Sequence, residues 1–345
     1  MSQIICNLEE TCLSHLLNIM TAGCLLFLTW IFSLIFHEAT DKVPFDSSNP
    51  VFYDNDDHRD MYTDEYLMAL AAAGTIHLAG IVTTYSADIT EYHLFVKGRQ
   101  EIIDKARSSG FSHIPDAIAG PSVTLRRPAS GRIEDTQPLN SEGGRAIVKA
   151  ALNTGKDKPL VIIAGGQFTA IADAWLQDSS IAERVIVSGI FGIRDKSYNA
   201  GLDSWAWAIV VSKLKCFSVS DSDSDSMYNK VFHHQRPKTP KKRFEEELRN
   251  GTLADTPLNR WMLEKHHPKH PAAYMEQDGD APVAVPLVRP DYIKAVERWR
   301  CTGLDSNGLP QVVPDPDGPL YLVTDAEESI GTEEFWRAIR VPLKR

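Results

Sequence analysis

Cysteine is scarce in this sequence, and basic residues are outnumbered by acidic ones. Five cysteines occur among 345 residues, and their spacing matches neither a disulfide framework nor a zinc site. The formal net charge of -10 argues against a nucleic-acid partner, because phosphate binding depends on clustered lysine and arginine. The composition, 43% hydrophobic and 24% charged, is that of a globular protein with room for a sizeable core. A small ligand or a cation is therefore the expected partner.

One long apolar run lies near the N-terminus. Residues 16–36 read LLNIMTAGCLLFLTWIFSLIF and contain no charge, which is about the length of a membrane-spanning helix. The run predicts an anchor or a secretory signal, and hence a membrane or secretory-pathway location. The residues before it contain no lysine or arginine, and no clear small-residue cleavage site follows. If the start of the sequence is misassigned and this run is not part of the protein, a cytoplasmic location is expected instead. The sequence also allows the protein to form a homo-oligomer.

The rest of the chain alternates between strand-like and helical patterns. Residues 1–48 are expected to form the apolar segment and a linker, and residues 49–345 a single domain. Runs such as PLVIIAGG and RVIVSGIFG are each followed by a helical pattern. This indicates an α/β fold with a mostly parallel, open sheet flanked by helices. A polar insertion with one helix is expected at about 221–277, and helical patterns resume at DAPVAVPLV and RPDYIKAVERWR.

A dense acidic stretch follows the first predicted strand. Six acidic residues lie between Asp54 and Glu65, where a parallel sheet presents its ligand site. Repulsion among so many carboxylates is tolerable if a cation lies among them. An EF-hand fits poorly, because His58 and Arg59 occupy its fifth and sixth loop positions. An Asp-based, Mg²⁺-dependent phosphotransferase is an alternative, although its downstream lysine and paired acidic motif cannot be placed.

An ordered set of motifs resembles the nucleoside hydrolase family. The stretch from Asp54 to Glu65, before YLMALAAAG, is similar to the family's Asp-x-Asp-Pro-Gly-x-Asp-Asp and its Ala/Leu-rich helix. Later family motifs resemble, in the same order, LAGIVTTYSAD, KPLVIIAGGQFTAIADAW, IAERVIVSGIFG, YNAGLDSWAWAIV and GDAPVAVPLVRPDYI. The resemblance spans roughly residues 49–296. It implies a hydrolase that cleaves the N-glycosidic bond of a ribonucleoside or related ribosyl compound, as in purine or pyrimidine salvage.

The resemblance also implies a carboxylate site for Ca²⁺. Bound Ca²⁺ would hold the attacking water together with ribose hydroxyls, and hard oxygen ligands suit this ion. The implied ligands are Asp54, Asp56, Asp64, Glu65, Asp280 and a backbone carbonyl near Gly192. Asp56 would also take the proton from the water, and Asn199 would hold the outer sugar hydroxyls. Asp64 would accept the ribose 2′-hydroxyl unless it only caps the helix that it opens. If Thr63 and Asp64 are instead the matching pair, Glu65 is only an acid of the first helical turn.

Several positions depart from the family pattern. Gly279 stands where many relatives carry a histidine that protonates the leaving base, so His58 is the candidate acid. Where the family has Asn after Thr-Thr, the register allows Ser86 or Asp88 as a sugar ligand. Asp203 is expected to cap a helix. The positions that would recognise the base match the family pattern less well than the positions of the metal ligands. A catalytically weak, Ca²⁺-stabilised nucleoside-binding protein is therefore the second hypothesis.

Overall fold

A mixed sheet organises the computed structural model, which describes residues 42–56, 62–84, 92–194, 196–220, 231, 234–265 and 280–340. The strands of this part of the chain are β1 Pro50–Asn55, β2 His77–Thr83, β3 Ala117–Ala119, β4 Leu160–Ala164, β5 Val185–Ile190, β6 Lys215–Val219, β7 Ile293–Leu304, β8 Pro310–Pro314 and β9 Leu320–Ala326. They pair in the order β3-β2-β1-β4-β5-β6-β9-β7-β8. In this order, each neighbouring pair from β3 at the edge as far as the pair of β6 with β9 is parallel. β7 pairs antiparallel with β9 and with β8. The predicted α/β fold with a mostly parallel sheet is confirmed.

Helices cover both faces of this sheet. In the described residues they are α1 Thr63–Ala72, α2 Tyr92–Ser108, α3 Glu142–Leu152, α4 Thr169–Gln177, α5 Tyr198–Leu202, α6 Ser204–Lys213, α7 Lys241–Arg249, α8 Pro257–Lys265, α9 Ala281–Ala284 and α10 Glu328–Ile339. Strand side chains alternate between the two faces. Val51 and Tyr53 therefore join a core with α1, α2 and α7 to α10, whereas Phe52 joins a second core with α3 to α6.

The strand order places a crevice at one end of the sheet. β1 is followed along the chain by β2 and β3 on one side, and β4 to β6 lie on its other side. The direction of strand progression thus reverses between β1 and β4. In open α/β sheets, ligands bind outside the carboxyl ends of the strands at this kind of switch point. The residues that follow β1 and β4 therefore form the candidate site.

The prediction of a helix over RPDYIKAVERWR is wrong. Ile293–Leu304 is strand β7, which lies between β9 and β8. Its Ala, Glu and Arg residues favour a helix in isolation, but pairing on both edges overrides this local preference. β8 forms the outer edge, and it begins at Pro310 and ends at Pro314. The polar insertion also differs from expectation, because α7 and α8 both lie within it rather than a single helix.

The prediction of a transmembrane helix is corrected by the helices that the structure describes. In this part of the chain, no helix is both long and apolar enough to cross a membrane. α2 has 17 residues and includes charged side chains such as Lys97 and Arg99, whereas a span needs about 20 mainly apolar residues. Residues 16–36, on which the prediction rested, lie outside the described residues.

Candidate functional site

Two adjacent glycines and an acidic strand end form the centre of the candidate site. Gly165 and Gly166 follow β4, and Asp54 and Asn55 end β1. The Gly165 amide donates to the Asp54 carbonyl at 3.0 Å, which continues the pairing of the two strands past the last residue of β4. This bond brings the segments after β1 and β4 side by side at the switch point.

Asp56 and Asp280 both lie against these glycines. A Cβ atom on Gly166 would come within 2.8 Å of Asp56 Cβ, and one on Gly165 would overlap Asp280 Oδ2. The Asn55 Nδ2 atom donates to Asp280 Oδ2 at 2.9 Å, across 225 positions of sequence. Both carboxylates are buried, at 9% and 3% exposure. Asp280, just before α9, therefore reaches the end of β1 only because no side chain fills the space at Gly165.

Asp54 occupies a buried position on the other face of β1. Thr84 donates its hydroxyl to Asp54 Oδ1, while Asp54 Oδ2 has no hydrogen-bond partner among the described residues. Burial raises the pKa of Asp54 to about 7, although the Thr84 hydrogen bond and the charge of Arg99 act in the opposite direction. The carboxylate is thus held by one oxygen and leaves the other available to a ligand.

Asp64 and Glu65 open helix α1, as their acidic character favours, and both are buried. Asp64 Oδ1 accepts a hydrogen bond from Arg99 of α2, and this ion pair is almost fully buried. Arg99 also lies over the ring of Tyr53, 5.3 Å from its centroid. Asp64 is not the hydrogen-bonding cap of α1, because no side chain caps its first turn and the N-cap residue is Tyr62.

Asn199 and Gly192 join the loops that follow β4 and β5. The Asn199 Nδ2 atom donates to the Gly165 carbonyl at 2.7 Å and to the Ile190 carbonyl at 3.2 Å. The Gly192 carbonyl accepts from Trp207 Nε1 at 2.8 Å. Asn199 therefore lies within the predicted site and fixes its backbone. Asp203 caps α6 by accepting from the Ala206 amide at 3.0 Å, as expected.

Unpartnered buried polar atoms concentrate at this end of the sheet. Within the described residues, most of the buried side-chain nitrogen and oxygen atoms without a hydrogen-bond partner lie there, on Asp54, Thr63, Asp64, Thr83 and Gln167. Buried polar groups in folded proteins are almost always hydrogen-bonded. Leaving several unsatisfied at one place is costly unless a ligand, ion or water satisfies them. The distribution therefore supports the switch point as the candidate binding site.

Three features of the site were not predicted from the sequence: the Gly165–Gly166 pair, Gln167 and Arg99. Two glycines directly after a buried strand signal a close approach of other groups, and this could have been read. Gln167 is 1% exposed, but a glutamine carries no mark of burial in the sequence. Arg99 lies 35 positions from Asp64 in an ordinary helical pattern, so no local signal indicates their contact.

Other predicted residues cannot be placed. His58, Ser86, Asp88 and Gly279 lie outside the described residues, so their assignments stay predictions. Among the residues that the structure describes, no group of three or more His, Cys, Asp or Glu side chains is arranged to hold a metal ion. Of the described acids at the switch point, Asp56 lies against Gly166, Asp280 lies against Gly165, and Asp54 is the second residue before Asp56.

Comparison with known proteins gives similarity in structure alone. No family model matches the sequence, and no curated protein matches it significantly. An inosine-uridine preferring nucleoside hydrolase from Bacillus anthracis aligns with a TM-score of 0.60 and 14% identity, covering 85% of this chain and 99% of its own. A purine-preferring ribonucleoside hydrolase from Gardnerella vaginalis gives 0.59 and 14%, covering 84% and 98%. The type III effector XopQ, complexed with adenosine diphosphate ribose, gives 0.55 and 11%, covering 89% and 97%. The chain therefore has the nucleoside hydrolase fold.

Proposed function

We propose that the protein hydrolyses the N-glycosidic bond of a ribonucleoside or a related ribosyl compound. The observation that carries the proposal is the approach of Asp280 to Gly165 and of Asp56 to Gly166, two adjacent glycines at the switch point. Structures of the same fold are nucleoside hydrolases by description, and one was solved with adenosine diphosphate ribose. Both descriptions share a ribose joined to a base, which is the substrate class proposed for this chain.

The reaction requires a site that holds a sugar and stabilises positive charge. Cleavage of a glycosidic bond passes through an oxocarbenium-like state, and buried carboxylates stabilise such a cation more strongly than they would in water. Asp56 is placed beside Gly166, where a water or a substrate could approach, and it would take the proton from the attacking water. Asn199 would bind an outer sugar hydroxyl while its amide nitrogen holds the two loops.

The acidic residues also suit a hard divalent cation such as Ca²⁺. Their oxygen atoms are the preferred donors for this ion, and Asp54 Oδ2 is buried without a partner among the described residues. The residues that would hold the ion are Asp54, Asp56, Glu65 and Asp280, with the carbonyl of Gly192. The described side chains are not grouped as a metal site, so these ligands would have to draw together when the ion binds. A bound cation would supply the charge that lowers the pKa of a water and orients sugar hydroxyls. Protonation of the leaving base is assigned to His58, as the sequence suggests.

A binding protein without strong catalysis is the second candidate. Asp280 already accepts a hydrogen bond from Asn55, and Asp64 is paired with Arg99. These two contacts use oxygens that would otherwise be available to an ion. A protein that kept the sugar pocket with a weak or absent metal would bind a ribosyl ligand and release no ribose.

Measurement of ribose release separates the two functions. The purified protein would be incubated with a panel of ribonucleosides and adenosine diphosphate ribose, with Ca²⁺ or with chelator, and assayed for reducing sugar. We expect Ca²⁺-dependent release, and a fall of at least about 100-fold in Asp280→Asn because a misplaced or missing reacting group has effects of this size. Asp291→Asn is the matched control, since this acid pairs with Arg289 at the surface.

The outcomes distinguish the proposals directly. Full activity in Asp280→Asn would remove this residue from the reaction. A wild-type protein that is stabilised by ribosyl ligands in thermal unfolding but releases no ribose would favour the binding protein. No release and no stabilisation with any compound would contradict both.

A further inference from the structure

Arg99 is a fully buried cation beside the candidate site. Its side chain lies in the middle of α2 and is 1% exposed. It donates to Asp64 Oδ1, whose own side chain is 2% exposed. The guanidinium group keeps its charge in proteins, because its pKa lies far above neutral pH. α1 and α2 are therefore joined at this point by a permanent positive charge and a carboxylate.

The surroundings of the pair are apolar. A small cavity bordered by Asp64 and Arg99 is otherwise lined by Tyr53, Leu67, Met68, Leu78, Ile81, Ile102 and Ile103. A charge in such an environment interacts strongly with its partner, and an isolated carboxylate would be unfavourable there. Arg99 thus fixes the direction of the Asp64 carboxylate plane.

The two oxygens of Asp64 have different surroundings. Oδ1 is held by Arg99, whereas Oδ2 is buried and has no hydrogen-bond partner among the described residues. An ionised carboxylate oxygen only accepts hydrogen bonds. The natural partner for Oδ2 is therefore a ligand that brings a donor, such as a hydroxyl group.

Arg99 is also connected to the centre of the site. It lies over the ring of Tyr53, and the Tyr53 hydroxyl accepts from Asn55 Nδ2 at 2.6 Å. The same Asn55 nitrogen donates to Asp280 Oδ2 at 2.9 Å. A chain of direct contacts thus runs from Asp64 through Arg99, Tyr53 and Asn55 to Asp280, so Asp64 is held in register with the acids at the glycine pair.

We propose that Arg99 is a positioning residue that holds Asp64 as the acceptor for the 2′-hydroxyl of a ribosyl ligand. The proposal rests on the function proposed above for its ligand class. Arg99 would act through Asp64, whose Oδ1 it holds. Its effect is to leave one oriented oxygen for one hydroxyl.

A double-mutant cycle on ligand discrimination tests this role. Binding of inosine, guanosine, adenosine, uridine and cytidine would be compared with binding of their 2′-deoxy forms by calorimetry. A site built around a hydroxyl rejects an analogue without it, so we expect wild type to prefer the ribonucleoside by at least about 100-fold. Asp64→Asn and Arg99→Met should each reduce this ratio to below about tenfold. In the double variant, Arg99→Met should cause no further reduction, because both changes remove the same acceptor.

Three controls separate positioning from general damage. Arg99→Lys keeps the charge and should retain part of the ratio. Arg243→Met removes an arginine of α7 that pairs with Glu247 of the same helix. Because α7 is far along the chain from Arg99, this change should leave the ratio unchanged. Thermal unfolding of every variant checks folding, and the double variant Asp64→Asn with Arg99→Met leaves no unpaired charge that could unfold the protein.

Equal weakening of ribo- and 2′-deoxyribonucleosides in Arg99→Met, with the ratio preserved, would overturn the inference, since a structural defect acts on both. Wild-type protein that does not discriminate, or binds neither form, would overturn it as well. Calorimetry does not depend on turnover. Discrimination that is lost in Arg99→Met, without ribose release from wild type, would support Arg99 and contradict the hydrolase. Ribose release by wild type, together with a ribo-to-deoxyribo binding ratio that Arg99→Met does not change, would support the hydrolase and contradict the role of Arg99.

Discussion

The spacing of the acidic side chains at the switch point depends on two residues without side chains. Gly165 faces Asp280 and Asn55, and Gly166 faces Asp56. Neither glycine has a left-handed backbone among the positive φ values of the described residues. Glycine is therefore needed there for space rather than for backbone conformation.

Gly165→Ala should move Asp280 and reduce activity. The added Cβ would lie 2.8 Å from Asn55 Cγ and overlap the Asp280 carboxylate. We expect ribose release to fall by about 100-fold and the free energy of unfolding in urea to fall by about 1–3 kcal/mol. Gly155→Ala is the control, because the nearest atom to its new Cβ would be 4.0 Å away. Wild-type turnover in Gly165→Ala would show that the close approach is not required.

Gln167 of the candidate site has a buried amide that is expected to lower the stability of the protein. Both polar atoms of its side chain are buried without a partner in the described residues. Gln167→Leu should raise the free energy of unfolding by about 1 kcal/mol in the absence of ligand, because it removes an unsatisfied amide. The same change should weaken ribosyl ligand binding by about tenfold.

Gln177→Leu provides the comparison for this prediction. Gln177 donates to Asp173 at 2.9 Å, so its loss should lower the free energy of unfolding. Chemical denaturation and calorimetry measure the two effects separately. A lower stability in Gln167→Leu than in wild type would indicate that the amide is satisfied within the protein.

At the scale of elements, one acid joins α7 to the C-terminal helix α10. Glu247 accepts from Arg243 Nε at 2.9 Å and from Arg340 Nε at 2.6 Å. Both guanidinium groups also lie over the ring of Trp336. Burial opposes the ionisation of Glu247, but the hydrogen bonds and charges of the two arginines outweigh it and lower its pKa.

This shift predicts a stability that depends on pH. The pKa of Glu247 is lower in the folded state, so its contribution is present above the unfolded value of about 4.3 and is lost as pH falls further. Glu247→Gln should reduce the free energy of unfolding by about 1–3 kcal/mol at pH 7, and the difference from wild type should shrink at pH 3.5. Glu246→Gln, which removes a surface pair with Lys242, should change stability by less than about 0.5 kcal/mol. A pH-independent difference would contradict the assignment.

Local pattern predicts some of these elements and fails for others for a physical reason. The buried strands β4 and β5 are continuous apolar runs because both of their faces are covered, and α1 follows its own composition. β7 has the composition of a helix, and only its partners β8 and β9 make it a strand. Those partners come after it in the chain, so a local window contains no sign of them.

At the scale of the whole molecule, the order of elements along the chain predicted the sheet, but not the contacts within the site. Strands that alternate with helices produce a parallel sheet by chain connectivity alone. The approach of Asp280 to the end of β1, where it accepts from Asn55 across 225 positions, was expected only from the family resemblance, which implied a cation shared by Asp56 and Asp280. The pair of Arg99 with Asp64 was not expected at all. Close packing between distant segments decides such contacts, and composition does not record it.

The outer edge of the sheet has a consequence for how copies of the protein meet. An exposed strand is normally a template onto which another chain can add, and this leads to fibres or precipitates. β8 is short, and both its first and last residues are proline, which cannot donate an amide hydrogen. Growth of the sheet from β8 into a neighbouring molecule is thereby discouraged, and concentrated solutions should remain free of aggregates nucleated at this strand.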